Sequence, residues 1–386
     1  MNGECANGPN CNFAHVCKLH ATIEASSRKP PPVRGENYDN YNNNFHQGQQ
    51  GPESYAVAAT AIWENGGGIK IFTGSHDGFW RLWNTATFTK EFEHNMSGGH
   101  VNALEIANNF LFVGFEAQSV LLPDVKVGMI HAWNLATPTN PPLEFHMQTT
   151  LMPYAHSSCV TALKVFNGDV IVSGDRHGVI RLWKFDGTKF ALTNTLHGHA
   201  GEVTSMVMID QLLWSSSVDQ SIRLWDLSNN GECQYLITRE TMTNGNPVGH
   251  TSAVTALLTF KMPSGGGTFV LSSSLDGTIK AWNGTNGECV ASESHGEGVV
   301  SMALSEDQNK NPLLLIGLER GNIMVRNVLQ TQKAPAFCLL FQLVGKYTAG
   351  HHGPVKTIRE GPSSTFYTGG EDGKLLVWQL TGDMGI

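Results

Sequence analysis

Residues 214–226 read WSSSVDQSIRLWD: an apolar start, three small hydroxyl residues, a turn around Asp219, then an alternating run that ends on Trp225. Period-two alternation across a short polar turn marks two paired strands with a buried face. Just upstream, EVTSMVMI (202–209) alternates in the same way, and Gly198-His199 stands before it. The arrangement returns as TGSHDGFWRLWN (73–84), a stretched VGFEAQSVLLPDVKVGMIHAWN (113–134), VSGDRHGVIRLWK (172–184), LSSSLDGTIKAWN (271–283), LIGLERGNIMVRN (315–327) and YTGGEDGKLLVWQ (367–379). These seven units close on Trp83, Trp133, Trp183, Trp225, Trp282, Arg326 and Trp378, spaced 50, 50, 42, 57, 44 and 52 residues apart. That spacing suits four short strands per unit with loops of uneven length.

The rest of the composition agrees with a turn-rich, all-β chain. Of 386 residues 42 are Gly, 15% are charged and 40% are hydrophobic, with no apolar run long enough to cross a bilayer. A net charge of −8 and a pI near 6.0 exclude a globally basic, phosphate-coating surface. The seven Cys follow no secretory leader, so they read as unbridged thiols, and the expected location is intracellular, in nucleus or cytoplasm.

Six units are preceded by a His: Gly99-His100, Ala155-His156, Gly198-His199, Gly249-His250, Ser294-His295 and Gly350-His351. With its Gly-His opening and Trp-Asp closing, residues 52 to 380 resemble the WD-repeat family, which implies a seven-bladed β-propeller over residues 51–381. The resemblance also implies a structural relay in each blade, in which the turn Asp bonds the His, the His bonds a hydroxyl, and the hydroxyl meets the Trp indole. In this reading His199, Asp219 and Trp225 in blade four, and His250, Asp276 and Trp282 in blade five, are structural, and no catalytic residue is expected. A hydrolase triad is unique and sits beside an oxyanion hole, whereas these residues recur blade after blade. Blade three places His177, and blade six Arg320, where other blades carry the turn Asp, so neither is expected to complete the relay in the usual way. Blade seven lacks an outer strand of its own, and the family's strand exchange places one in a segment before blade one, expected at 40–50.

The N-terminal stretch GECANGPNCNFAH (3–15) spaces Cys5, Cys11 and His15 as C-x5-C-x3-H, resembling the end of a CCCH zinc finger, with only four residues before Cys5. Three outcomes stay open: a finger whose first ligand is cut away, a zinc site completed by Cys17 or His20, or no stable site. The expected organisation is therefore a partial finger over 1–20 and a flexible linker over 21–50, marked by Pro30-Pro31-Pro32 and Asn-rich sequence. A whole finger implies zinc and single-stranded RNA, with Phe13 stacking on a base and Lys18 on the basic flank. The pairing of finger and propeller resembles the CCCH zinc-finger WD-repeat proteins of plants and algae.

On the propeller, loops at one end of the channel are expected to meet protein partners through His76, Arg176, His177, Glu202, Val218, Leu275, Glu297, Arg320, Pro354 and Glu371. Insertions at 115–127 and 239–248 break the pattern, and Val120-Leu121-Leu122-Pro123 reads either as a partner contact or as packing on a neighbouring blade. The functional expectation is a non-enzymatic scaffold linked to RNA, a monomer within a larger complex and free of membranes. The competing reading is a substrate receptor of a cullin-type ubiquitin ligase, whose blades often end Trp-Asp-x-Arg; here the residues are Trp225-Asp226-Leu227-Ser228.

Overall fold

The alternating runs form thirty strands among the described residues, and twenty-eight of them make seven four-stranded antiparallel sheets. The computed structural model describes residues 17–27 and 54–380, apart from 67, 98, 122–123, 148–151, 153, 244, 262–266, 307–309, 311, 332–337 and 348–349. A lone strand, β1 (Cys17–Glu24), comes first. Blade one is β2 (Val57–Asn65), β3 (Gly68–Ser75), β4 (Phe79–Asn84) and β5 (Lys90–Asn95). Blade two is β6 (Val101–Ala107), β7 (Phe110–Gln118), β8 (Lys126–Asn134) and a two-residue β9 (Leu143–Glu144). Blade three is β10 (Val160–Phe166), β11 (Val170–Asp175), β12 (Ile180–Phe185) and β13 (Phe190–Leu196). Blade four is β14 (Val203–Ile209), β15 (Leu212–Ser217), β16 (Ile222–Asp226) and β17 (Glu232–Ile237), followed by a small hairpin of β18 (Met242–Thr243) and β19 (Asn246–Pro247). Blade five is β20 (Val254–Lys261), β21 (Thr268–Ser274), β22 (Thr278–Asn283) and β23 (Cys289–Ser294). Blade six is β24 (Val299–Glu306), β25 (Pro312–Leu318), β26 (Ile323–Thr331) and β27 (Cys338–Tyr347). Blade seven is β28 (Val355–Glu360), β29 (Thr365–Gly370) and β30 (Lys374–Leu380), with β1 as its outer strand.

One contact recurs at every blade boundary. Each inner strand opens on a Val, namely Val57, Val101, Val160, Val203, Val254, Val299 and Val355, and all seven are fully buried. Each also sits at a register shift, a β-bulge against the second strand. The preceding blade meets that Val with a residue of its second strand that has almost no side chain. A Cβ on Gly74, Gly114, Gly174, Gly317 or Gly369 would lie 2.5–2.7 Å from the next blade's Val. The small-residue pair in the repeat is thus the socket for a neighbour's valine. Hydroxyls of the inner strands then cross the same seam to the Val carbonyls: Thr161 to Val203 (2.7 Å), Thr204 to Val254 (2.6 Å), Thr255 to Val299 (2.8 Å) and Ser301 to Val355 (2.6 Å). Outside this ring, seven hydrophobic clusters form, each drawn from two adjacent blades.

Closure uses a different segment from the one expected. Residues 40–50 lie outside the described ones, and the place beside β30 is taken by β1, paired from Cys17↔Leu380 to Glu24↔Lys374. CKLHATIE suits an edge strand because Cys17 and Ile23 turn into the core while Lys18, His20, Thr22 and Glu24 face outward. The domain boundary is corrected with it: the propeller begins at Cys17, and the Pro- and Asn-rich stretch follows the closing strand instead of preceding the propeller. After Glu24 the chain crosses to blade one, where Arg81 donates to the Ala25 carbonyl (3.2 Å) and Asp77 accepts from the Ser27 amide (2.7 Å). Arg81 and Asp77 are themselves a buried ion pair at 2.7 Å. Burial alone would raise the Asp77 pKa, but Arg81, Ser75 and the Ser27 amide hold it at about 2. Tyr55 then donates to the Ser27 carbonyl (3.1 Å), so residues 28–53 leave and rejoin the ring at adjacent points.

Two outcomes test this packing. Gly174→Ala is expected to cost about 1–3 kcal/mol through overpacking, and Val203→Ala to cost stability through a cavity. Chemical denaturation of the double variant should show less than the sum, because the added methyl enters the space that Val203 vacates. Arg81→Met should cost roughly 3 kcal/mol by stranding buried Asp77, and a chain lacking residues 1–27 should lose its cooperative thermal transition while one lacking 1–16 retains it.

Candidate functional site

The recurring His, hydroxyl, Asp and Trp are consumed by structure in four blades. In blade four His199 Nδ1 meets Asp219 at 3.1 Å, its Nε2 meets Ser215 at 2.8 Å, and the Trp225 indole donates to the same hydroxyl at 2.8 Å. Blade five repeats this with His250, Asp276, Ser272 and Trp282 (3.1, 2.7 and 2.8 Å), and blade seven with His351, Asp372, Thr368 and Trp378 (2.8, 2.9 and 3.0 Å). Burial would raise the Asp219 and Asp276 pKa values, but the His and hydroxyl hydrogen bonds outweigh it and hold both carboxylates well below their usual range. A hydroxyl held between an imidazole and an indole, with both partners buried, is spent on satisfying polar groups.

Blade three departs from expectation by completing the relay. His156 bonds Asp175 (2.9 Å) and Ser173 (2.6 Å), and Trp183 donates to Ser173 (2.9 Å). Asp175 is the last residue of β11, two before His177 in the turn; its Oδ1 accepts the His177 and Val179 amides (2.9 Å each), which leaves Oδ2 aimed at the His156 imidazole. Blade two has no relay: its Trp133 indole has no hydrogen-bond partner, and Val113 occupies the hydroxyl's place. In blade six Arg326 replaces the Trp and reaches across to Glu293 of blade five. That leaves His295 buried with both ring nitrogens unpartnered, and burial with the nearby Arg326 pulls its pKa down to about 3.

What varies from blade to blade is the mouth of the channel. In six blades the residue after the second strand, and in blade two Glu116 within the extended β7, donates its amide to the carbonyl just before the inner strand: His76 to Ala56, Glu116 to His100, Arg176 to Cys159, Val218 to Glu202, Leu275 to Ala253, Glu319 to Gly298 and Glu371 to Pro354. Five of the expected contact residues (His76, Arg176, Val218, Leu275, Glu371) hold the donor position, and Glu202 and Pro354 hold the acceptor position. Glu297 precedes the acceptor Gly298, and His177 and Arg320 lie one step further along their turns. Sequence reasoning missed Glu116, His100, Cys159 and Glu319, which the same repeat register locates once blade two is aligned by strand pairing. Behind the mouth lies a channel cavity of about 490 Å³, lined by the inner strands, including Asn102, Thr161, Thr204, Thr255, Ser301 and Lys356.

The mouth is a mosaic of charge. His76 stacks on His100 (4.8 Å between centroids) and bonds Asn102 Oδ1 at 2.9 Å; burial, His100 and Lys356 lower its pKa to about 4. Burial pushes the Cys159 thiol up to about 12, so it is a neutral thiol. Arg176 lies 3.5 Å from Glu116 and 3.7 Å from Glu202, Lys356 lies 3.2 Å from Glu371, and Arg320 lies 3.8 Å from Glu297. Burial raises the Glu202 pKa. In the blade-two insertion Val120 is 90% exposed and Leu121 53%, so neither packs on a neighbouring blade.

At the N-terminus Cys5, Cys11, Phe13 and His15 lie outside the described residues. Cys17 is buried in the cluster between blades six and seven, whereas His20 is exposed with its ring edge-on to Phe88, and Lys18 is exposed on β1. Ligation by Cys17 would therefore pull a side chain out of the core. Among the described residues no three His, Cys, Asp or Glu come together to hold a metal ion. No helix there is long and apolar enough to cross a membrane.

Comparison with known proteins finds the WD domain, G-beta repeat, at residues 147–184, 190–226, 243–283 and 341–379. The chain is 26% identical over 381 residues to zinc finger CCCH domain-containing protein 17 of rice, covering 98% of this chain and 71% of that one. It is 29% identical over 136 residues to the F-box/WD repeat-containing protein sel-10 of Caenorhabditis elegans, covering 33% of this chain and 20% of that one. Among solved structures, the computationally designed Ika8 protein superposes with a TM-score of 0.54 at 23% identity, covering 86% of this chain and 98% of that one.

The orphaned His295 generates a pH prediction. Its pKa in the folded chain lies near 3, below the ordinary 6.5, so the unfolded chain takes up a proton first as pH falls. The associated stability is fully present above pH 6.5 and drains as pH drops toward 3. The relay carboxylates lose stability in the same direction, at lower pH. His295→Leu is therefore expected to flatten the decline of urea midpoints between pH 6.5 and 4, while leaving the steeper fall below it.

Proposed function

We propose that this chain, a seven-bladed propeller of WD40 repeats, is a protein-interaction scaffold without chemistry of its own, tied to RNA by an N-terminal CCCH finger. The observation that carries the first part is the contrast between blade interior and mouth. The interior triads repeat and are mutually satisfied, whereas the mouth donor position carries five residue types over seven blades: His76, Arg176, Val218, Leu275 and a Glu at 116, 319 and 371. A surface that is regular in backbone and varied in side chain suits recognition of a partner.

The RNA part draws support from the CCCH name of the rice relative and from the sequence next to the closing strand. Cys5, Cys11 and His15 would hold zinc, leaving a fourth position for a ligand outside this set, and Phe13 would stack on a base. His15 is two residues from Cys17, which lies at the Leu380 end of blade seven, the end away from the mouth. RNA and protein would thus be engaged at opposite faces of one disc. The ubiquitin-ligase reading gains only the partial likeness to sel-10, and Ser228 still stands where a docking Arg would be.

The test uses full-length protein with its native N-terminus. Bound zinc is measured by elemental analysis, RNA by ultraviolet crosslinking in cells, and partners by mass spectrometry of the purified complex. Expected are zinc and crosslinked RNA, both lost in Cys11→Ser and His15→Ala, with protein partners retained. Absence of zinc and of RNA above background removes the RNA link, and a turnover abolished by changing one blade removes the scaffold reading.

A further inference from the structure

The geometry points to a short peptide segment, with an apolar side chain next to a Lys or Arg, as the ligand taken by the mouth over blades four to six. This rests on the reading of the mouth as a protein-binding face. In blade order the donor position of the mouth ring is His76, Glu116, Arg176, Val218, Leu275, Glu319 and Glu371. Only two blades make it apolar, and they are adjacent: Val218 is 47% exposed and Leu275 40%. Two neighbouring aliphatic side chains held out of the core on a rigid turn are a surface for one apolar side chain of a partner.

Beside Leu275 the surface changes sign. Gly298 lies between Leu275 and Glu319: a Cβ there would sit 3.3 Å from Leu275 Cδ2 and 2.8 Å from Glu319 Oε2. The space over Gly298 is too narrow for a methyl group, so the aliphatic Leu275 and the anionic Glu319 side chains stand next to each other above it. Glu319 is exposed and has no ion-pair partner among the described residues. The cations of the mouth are engaged elsewhere, Arg176 with Glu116 and Glu202, Lys356 with Glu371, and Arg320 with Glu297. An incoming Lys or Arg finds an unneutralised carboxylate within a side chain's reach of the aliphatic pair. An acidic peptide, a phosphopeptide or an RNA strand would meet Glu319 and Glu202, while the mouth cations Arg176, Lys356 and Arg320 are already paired among the described residues, on a chain of net charge −8.

The full-length protein is presented to an array of short peptides. In each, one Leu or Phe is paired with Arg or Lys, with Glu, with phosphoserine, or with no charge; oligouridine is the nucleic-acid arm. Retention of the Arg and Lys peptides above scrambled controls is expected. Fluorescence anisotropy on the retained peptides should show at least about tenfold weaker binding for Leu275→Asp and for Glu319→Lys. Glu319→Lys should also move the preference toward Glu-bearing peptides, and because both side chains are exposed the melting temperature should not change. Failure to retain any peptide class overturns the inference, as does preference for acidic peptides, phosphopeptides or RNA, or indifference to both substitutions. If cellular partners still co-purify with the Leu275→Asp and Glu319→Lys proteins, the inference falls and the scaffold reading stands.

Discussion

Seven buried valines set the geometry of this molecule. Each opens an inner strand at a bulge and presses its methyl groups against backbone of the preceding blade, where glycine at five boundaries makes the approach possible. At the two remaining boundaries Ser216 and Ser273 hold the corresponding place, and each turns its hydroxyl to the inner-strand Thr of its own blade. Burying a Val side chain contributes roughly 1.5–3 kcal/mol, so the seven together are a large share of a marginal stability. Because the contact is between neighbours, it has no end unless the blades return on themselves. Seven blades in an open row would leave one valine without a socket and a sheet face in water at each end, and the ring removes these faults. Pairing of β1 with β30 is therefore part of the same constraint, since the cluster between blades seven and one includes Ile23 and Ala25 from the N-terminal segment.

The relay occupies a different layer and follows a different rule. It satisfies polar atoms that valine packing has already buried, and a blade does without it if its polar atoms are removed or redirected. Blade one shows the redirection: Trp83 still donates to Thr73 (2.9 Å), while Asp77 turns to Arg81 and through it to the incoming chain at Ala25 and Ser27. The Asp of an ordinary relay has become the latch of the ring. Blade six shows incomplete removal, because the hydroxyl and Trp are gone but His295 remains. Its neutral imidazole already carries the cost of two buried, unpartnered nitrogens, and protonation adds the larger cost of a buried charge beside Arg326.

Much of this was legible in the sequence because a repeat compares the chain with itself. The seven hairpins, their Trp anchors and the mouth positions of Val218, Leu275 and Glu371 follow from one register. What escaped has specific causes. The closing strand pairs Cys17 with Leu380, partners at opposite ends of the chain, and strand exchange leaves it outside the repeat register. Cys17 and His20 also carry metal-ligand chemistry, which draws residues 17–20 into the expected partial finger and leaves the rest of CKLHATIE in the expected linker. Asp175 escapes because alignment matches positions while hydrogen bonds match points in space, and a carboxylate at the end of β11 reaches the same imidazole as one from the turn beyond it. Glu116 was hidden by the insertion that stretches blade two.

The same economy of positions leaves the mouth as the place where side chains vary most freely. Faces of the blades are consumed by valine packing and interblade clusters, and the relay consumes the second-strand hydroxyls. The inner-strand hydroxyls are committed to neighbouring carbonyls, and the outer strands of most blades are small and exposed. A side chain can change without disturbing any of these at only one set of sites, the residue after the second strand and its partner before the inner strand. The backbone hydrogen bond that joins them recurs in all seven blades. It fixes where each side chain emerges and leaves its identity open, so a scaffold of near-identical units can present imidazole, carboxylate, guanidinium and aliphatic groups around one ring. Here two aliphatic groups and an uncompensated carboxylate fall side by side, and that sector is the least symmetric feature of the ring.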